Sequence, residues 1–313
     1  MRDFQQIEWD DRTAEDCRAI VRLAVREDFE RQHDWTTVAL VPADRIGAAR
    51  FVSRETGVVA GLAAVAVAVE AMQAEIELTP RVEDGDPILS GSVLAELHGN
   101  VRDLLSCERI LLNLLSRLSG IATQARQYVE LVEGTQARIY DTRKTTPGWR
   151  RLEKYAVRCG GAYNHRTGLF DAVLIKDNHL AQFAAGGRES ENESHCGAGE
   201  AVRQARQFLK NSTLAGASDE LLVEVEVDTL EQLSDVLSAG PDMVLLDNMS
   251  TETLRLAVEL RDQLASTVQL EASGGVRLER LSEIAATGVD RISVGALTHA
   301  ACSLDIGLDW PDA

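Results

Sequence analysis

From Ala137 onward the chain alternates strand-like and helical runs with a regularity that leaves few folds open. The strand-like runs are ARIYDT, AVLIKD, LLVEVEVD, MVLLDN, QLEASGG and RISVGAL. Between most of them lie the helical patterns WRRLEKYAVRC, GEAVRQARQFLK, TLEQLSDVLSAG, TETLRLAVELRDQL and LERLSEIAATG. Parallel strands need a crossover connection and a helix supplies it, so this alternation predicts a parallel sheet covered by helices. About six such units with polar strand ends suit a barrel better than an open sheet. No GxGxxG follows the first strand, which argues against a doubly wound dinucleotide-binding fold.

The first third is mixed α and β. Cys17, Ile20, Val21, Ala24 and Val25 fall on one helical face, and AARFVSRE and VLAELHG read as strands. Asn100 is placed to cap a long helix with Asp103 in its first turn. Leu104, Leu105, Leu111, Leu112, Leu115 and Leu118 form that helix's apolar body, and Gly120 or Gly134 interrupts or ends it. The apolar segment GVVAGLAAVAVAV is shorter than the roughly 20 residues a membrane span needs, and reads as a buried strand and helix. MRDFQQIEWDDRT lacks the basic-then-apolar order of a signal peptide. The expected organisation is an N-terminal domain over residues 1–134, a barrel over 135–300, and a tail, 301–313, returning to the first domain. The stretch after His179, including AQFAAGGRESENESHCGAG, reads as a mobile loop or lid.

The 313 residues carry a formal charge of −18, which disfavours nucleic acid and anionic membranes as partners, since both need a basic face. Positive charge is instead concentrated between Ile139 and His179, where Arg143, Lys144, His165, Arg166 and Lys176 fall on two strand ends and their connection. Cations gathered on a barrel rim inside an acidic protein point to small polyanions. The five cysteines show no CxxC pairing and no ligand spacing, so reduced thiols and a cytoplasmic location are expected.

In parallel α/β barrels chemistry sits where strands end and helices begin. Along VEVEVD the period-2 alternation sets Val223, Val225 and Val227 against the helices and turns Glu224, Glu226 and Asp228 inward. Buried carboxylates need partners; the nearest in sequence are Arg143, Lys144, Arg166 and Lys176, or a metal. Asp247 ends the apolar run MVLLDN and suits ribose hydroxyls or a metal-bound diphosphate; capping the next helix is its alternative, a role Asn248 or Ser250 could fill. Ser273, Gly274 and Gly275 follow one strand and Gly295 follows the next, which fits two phosphate-binding turns. Arg143 can grip a carboxylate in bidentate fashion, Lys144 offers a point charge, and His165 and Arg166 add a second donor pair. Lys176 could alternatively form a Schiff base. His98 and His179 belong to no constellation.

These residues lie in motifs that resemble the quinolinate phosphoribosyltransferase family: DTRKTTPG, LEKYAV, NHRTGLFD, VLIKDNH, VEVEVDTLEQL, LLDN, EASGGV and ISVGAL, in family order. Weaker matches, DWTT, SRETGVVAGL and CERILLNLLSRLSGIAT, extend the resemblance over nearly the whole chain. It implies an α/β fold with an N-terminal α/β sandwich and an incomplete parallel α/β barrel. The implied reaction joins quinolinate and phosphoribosyl pyrophosphate, with magnesium, giving nicotinate mononucleotide, pyrophosphate and carbon dioxide in NAD biosynthesis. By matching motif, Arg143, His165, Arg166 and Lys176 hold quinolinate. Thr142, Lys144, Ser273, Gly274, Gly275 and Gly295 meet the donor. Glu226, a better match than Glu224, and Asp247 bind ribose hydroxyls and help place Mg2+. Arg109 matches an arginine given across a homodimer interface, in a dimer that can assemble to a hexamer. His33, Ala162 and the long acidic loop after His179 depart from the family pattern, which puts loop geometry rather than chemistry in question. Three rivals stand beside this reading: a same-fold enzyme for another heterocyclic acid, a Lys176 Schiff-base aldolase, and a non-catalytic nucleotide sensor.

Overall fold

The structure, a computed structural model, describes residues 2–186, 197–214, 218, 220–265 and 267–311. The chain opens with α1 (Asp11–Phe29), α2 (Trp35–Leu40), β1 (Ile46–Ser53), β2 (Gly57–Val58), α3 (Leu62–Ala71), β3 (Ile76–Pro80), β4 (Pro87–Ile88), β5 (Val93–Asn100) and α4 (Val101–Glu130). It continues through β6 (Arg138–Tyr140), α5 (Arg150–Cys159), β7 (Ala172–Ile175), α6 (Asp177–Gly186), α7 (Ala198–Asn211), β8 (Leu222–Val227) and α8 (Leu230–Ala239). The last elements are β9 (Met243–Asp247), α9 (Thr251–Leu264), β10 (Gln269–Ser273), α10 (Leu278–Ala285), β11 (Arg291–Ser293), α11 (Ala296–His299) and β12 (Ile306–Asp309).

These elements form two units that interleave along the chain. One holds Gln6–Gln127, Lys144–Ala162 and Gly295–Ala313; the other holds Met1–Gln5, Tyr128–Arg143 and Tyr163–Val294. In the first, four antiparallel strands run in the order β12-β1-β5-β3. Alternation in β1 buries Ala49 and Phe51 and leaves Arg50 outside. The Asp10 side chain caps α1 by accepting the Thr13 N–H at 2.8 Å, and Asn100 begins α4 by accepting the Arg102 N–H at 2.9 Å. The α4 leucines Leu104, Leu111, Leu115 and Leu118 are buried, and so is most of α3. Gly120 does not interrupt α4: a Cβ there would meet the Cys302 carbonyl oxygen at 1.9 Å, so glycine serves a close backbone approach. The helix ends at Glu130, ahead of Gly134 at φ +81°. Helix α5 joins this unit because Arg151 reaches Asp16 of α1 at 3.0 Å and Tyr155 meets Trp9 edge-on at 5.2 Å.

In the second unit six parallel strands run in the order β6-β11-β10-β9-β8-β7. Strand β6 pairs with the last strand, β11, while β6 and β7 end the sheet, so among the described residues the barrel lacks one pairing. Val223, Val225 and Val227 of β8 are buried, and Ser250 caps α9 by accepting the Thr253 N–H at 3.1 Å. The loop expected to begin right after His179 is instead helical up to Gly186 as α6; residues 187–196, with most of the acidic stretch and Cys196, lie outside the described residues. Among the described residues no helix is long and apolar enough to cross a membrane.

Candidate active site

The cationic segment is organised by a carboxylate the sequence reading passed over. Past β6 the chain reaches Asp141, fully buried, which accepts Asn164 Nδ2 and the His165 N–H, each at 2.8 Å. The Tyr163 N–H donates to the Ile139 carbonyl at 2.8 Å, and the Asp141 N–H to the Tyr163 carbonyl at 3.0 Å. These bonds lay residues 163–165 alongside the end of β6, so Arg166 comes to share a neighbourhood with Arg143.

The two guanidiniums are under-satisfied. Arg166 is buried and donates Nη1 to the Ala172 carbonyl at 3.1 Å, but its Nε has no hydrogen-bond partner; neither has the buried Nε of Arg143. Burial, then the charge of Arg143, push the Arg166 pKa down. Two like charges near enough to repel, each with a spare donor, form a place where an anion is the missing component.

Beneath them lies a buried ionic network. His165 Nε2 is 3.1 Å from Glu224 Oε2 and 3.5 Å from Glu271 Oε1. Arg291 Nε donates to Glu271 Oε2 and its Nη1 to Asp3 Oδ1, each at 2.8 Å. The Tyr140 hydroxyl donates to Asp3 Oδ2 at 2.6 Å. Phe4 stacks on the His165 ring at 4.4 Å, and the Arg291 guanidinium lies 3.5 Å from the Tyr140 ring centre. Burial alone would push the His165 pKa down, but the Glu224 and Glu271 carboxylates outweigh it and hold the ring above its ordinary value. One contact opposes them: Nδ1 accepts the Arg166 N–H at 2.8 Å, which suits the neutral ring. An uncompensated buried charge costs about 3–5 kcal/mol against about 1 kcal/mol for one hydrogen bond, so the carboxylates prevail. Burial pushes the Glu224 pKa up, yet His165, Arg291 and Arg166 bring it below its ordinary value. The ligand atoms of His165, Glu224 and Glu271 lie within 4.8 Å of one another, but Arg291 and His165 already supply the balancing charge, so the cluster is an ion-pair network. His165 and Arg291, to which the sequence did not point, thus join Arg166, to which it did, in balancing the inward carboxylate Glu224.

Toward the strand ends, Lys176 Nζ pairs with Glu226 Oε2 at 2.7 Å. The Lys176 side chain is 45% exposed, unlike the desolvated amine a Schiff base needs. Its backbone N–H donates to His179 Nδ1 at 3.0 Å, which gives that histidine a local structural role. Asp228, expected to face inward, lies beyond the end of β8 and is exposed. Asp247 and Ser273 are register partners at the ends of β9 and β10, and Ser250 has taken the capping role. Gly274 and Gly275 adopt φ +91° and +56°, and a Cβ on Gly274 would fall 2.3 Å from Asn248 Oδ1. Glu226 and Asp247 lie on adjacent strands and offer carboxylate oxygens, the hard donors Mg2+ takes.

The other unit carries three further residues singled out in the sequence. Lys144 is exposed directly after Arg143; Gly295 precedes α11, and a Cβ there would come within 2.9 Å of Lys144 Cδ. Arg109 is exposed on α4. Thr142 is half-buried between Asp141 and Arg143 in the parallel-sheet unit. Asp3, Phe4, Asp141, Glu271 and Arg291 escaped the sequence reading. Only Glu271, inside the EASGG run, offered a signal, as a lone charge in an apolar strand.

Residues 34–119 match the family model described as quinolinate phosphoribosyl transferase, N-terminal domain, and residues 121–309 match its C-terminal domain. The nicotinate-nucleotide pyrophosphorylase [carboxylating] of Mycobacterium leprae (strain TN) is 45% identical over 295 residues, covering 94% of this chain and 96% of that protein. A probable nicotinate-nucleotide pyrophosphorylase [carboxylating] of Bacillus subtilis (strain 168) is 42% identical over 262 residues, covering 83% and 82%. The solved structure of the nicotinate-nucleotide pyrophosphorylase from Francisella tularensis superposes with a TM-score of 0.84 at 33% identity, covering 98% of this chain and 99% of that one.

Proposed function

The chain belongs to the quinolinate phosphoribosyl transferase family, and from that premise we propose that it transfers the phosphoribosyl group of phosphoribosyl pyrophosphate to quinolinate. Loss of carbon dioxide then yields nicotinate mononucleotide, a step in NAD biosynthesis. The observation that carries this reading is the pair of guanidiniums of the half-buried Arg143 and the buried Arg166, whose buried Nε donors have no partner. A planar dicarboxylate supplies both the charge and the acceptor oxygens they lack. Lys176 takes part in holding the acid, exchanging its bond to Glu226 for one to substrate. His165 contributes its charge from beneath.

The pyridine nitrogen attacks the anomeric carbon as pyrophosphate leaves, and positive charge develops on the ribose ring. Glu226 and Asp247 stabilise that charge and hold the ribose hydroxyls. Lys144, Thr142, Ser273, Gly274, Gly275 and Gly295 take the phosphates. Glu226 and Asp247 would hold Mg2+ together with the donor, and the ion would supply positive charge to the leaving diphosphate. The alkylated ring nitrogen then draws electrons from the adjacent carbon, so decarboxylation needs positioning more than acid–base help. Arg109 is offered to the site of a second copy in a homodimer, and the reduced thiols Cys17, Cys107, Cys159 and Cys302 support a cytoplasmic setting.

The test is release of pyrophosphate and carbon dioxide from quinolinate plus phosphoribosyl pyrophosphate. Arg166→Ala should abolish it, with a drop of about 10³-fold or more, while circular dichroism stays native. Full activity in that folded variant would overturn the carboxylate clamp.

A further inference from the structure

We propose that Arg117 and Glu153 are positioning residues for the phosphoribosyl donor: they brace the loop carrying Lys144 against the Gly295 turn. The inference rests on the donor-binding role just given to Lys144 and Gly295, and extends it to residues that role does not include.

Glu153 lies in the first turn of α5 and is fully buried. A buried carboxylate is costly, and an apolar side chain of similar volume would serve stability as well or better. Its partners show what it fixes instead. Oε2 accepts the Thr146 N–H at 3.1 Å, and Oε1 accepts the Thr146 hydroxyl and Arg117 Nη2, each at 2.8 Å. Arg117, from α4, also donates Nη2 to the Thr298 carbonyl at 2.5 Å and Nη1 to the Ala301 carbonyl at 2.6 Å. One guanidinium thus joins the loop, through Glu153, to the carbonyls around the end of α11. The circuit closes on Lys144 itself, because the buried Thr298 donates its hydroxyl to the Lys144 carbonyl at 2.7 Å.

The backbone is therefore held at two successive peptides on the C-terminal side of Lys144, at its own carbonyl and at the Thr146 N–H. The stem of the Lys144 side chain passes over Gly295 at a distance no Cβ would allow. The backbone entropy of the loop is thereby removed before any ligand arrives.

The experiment uses the full chain. Donor binding is measured by calorimetry with phosphoribosyl pyrophosphate and Mg2+ in the absence of quinolinate, and KM is measured for each substrate. In Glu153→Gln and Thr298→Val the donor Kd and KM should rise by about tenfold or more, with the quinolinate KM unchanged; Thr298→Ser should restore donor binding. An unchanged donor KM, or an equal rise in both KM values, would overturn the brace. Thr298→Val removes a single hydroxyl and keeps the test open where Glu153→Gln fails to fold. If the wild-type chain binds no donor, the functional reading itself has failed. The brace then stands or falls on amide exchange at Thr146, which Glu153→Gln should accelerate and which, if unaltered, rejects it.

Discussion

The two sheets use the same residue alternation to opposite ends. In the antiparallel sheet, the charged positions of β1 and β5 face out. Arg50 and Glu96 pair across the strands at 3.2 Å, with side chains 45% and 35% exposed, and Arg81 joins Glu96 from beyond β3. In the parallel sheet, Glu271 and Arg291 are also register partners, but their side chains are 0% and 1% exposed. Water screens the first set and does little for the second. Alternation alone does not tell an ornamental ion pair from a committed one; the difference lies in whether the opposite face is the one the helices cover.

That contrast can be broken most forcefully at Arg291. Arg291→Ala strands Glu271 and Asp3 without their guanidinium, so unfolding free energy in urea should fall by about 3–5 kcal/mol. A loss below about 1 kcal/mol would make the inner network equivalent to the outer one. The next test is pH. The raised pKa of His165 gives stabilisation that is complete below its ordinary value of 6.5 and lost as pH climbs through the raised value. The lowered pKa of Glu224 gives stabilisation present above 4.5 and lost as pH falls through the lowered value. Stability measured across a pH series should therefore decline on the alkaline side, and Glu224→Gln should flatten that decline. An identical slope in the variant would assign the titration to another group. The smallest effect belongs to the outer sheet: Glu96→Ala should cost at most about 1 kcal/mol, and less in high salt.

The grammar of the parallel-sheet unit was readable because each strand is a short apolar run bounded by a turn and followed by a helical period. Residues at the strand ends, such as Asp247 and Ser273, could be singled out for the same reason. Arg291 could not, since it opens the apolar run RISVGAL and only the β10–β11 register sets it against Glu271. Glu153 and Arg117 sit in helices among other charged residues, and nothing local distinguishes a buried carboxylate from a solvated one. The segment from Leu180 to Gly186 looked like loop because its glycines and polar neighbours outweigh a weak helical signal, yet it extends α6. Gly120 was misread for a related reason: its role is set by a carbonyl 182 residues later, Cys302, and not by the helix that contains it.

Asp3 and Arg291 lie 288 residues apart in sequence and 2.8 Å apart in space. Bringing them together closes a loop of almost that length. Asp3 also accepts the Tyr140 hydroxyl and Phe4 stacks on His165, so this short segment fastens several strands of the parallel-sheet unit at once. So distant a closing contact carries a large loop-closure entropy. The contact must offset that entropy through its buried charge, which makes it a clasp across the sequence of this unit.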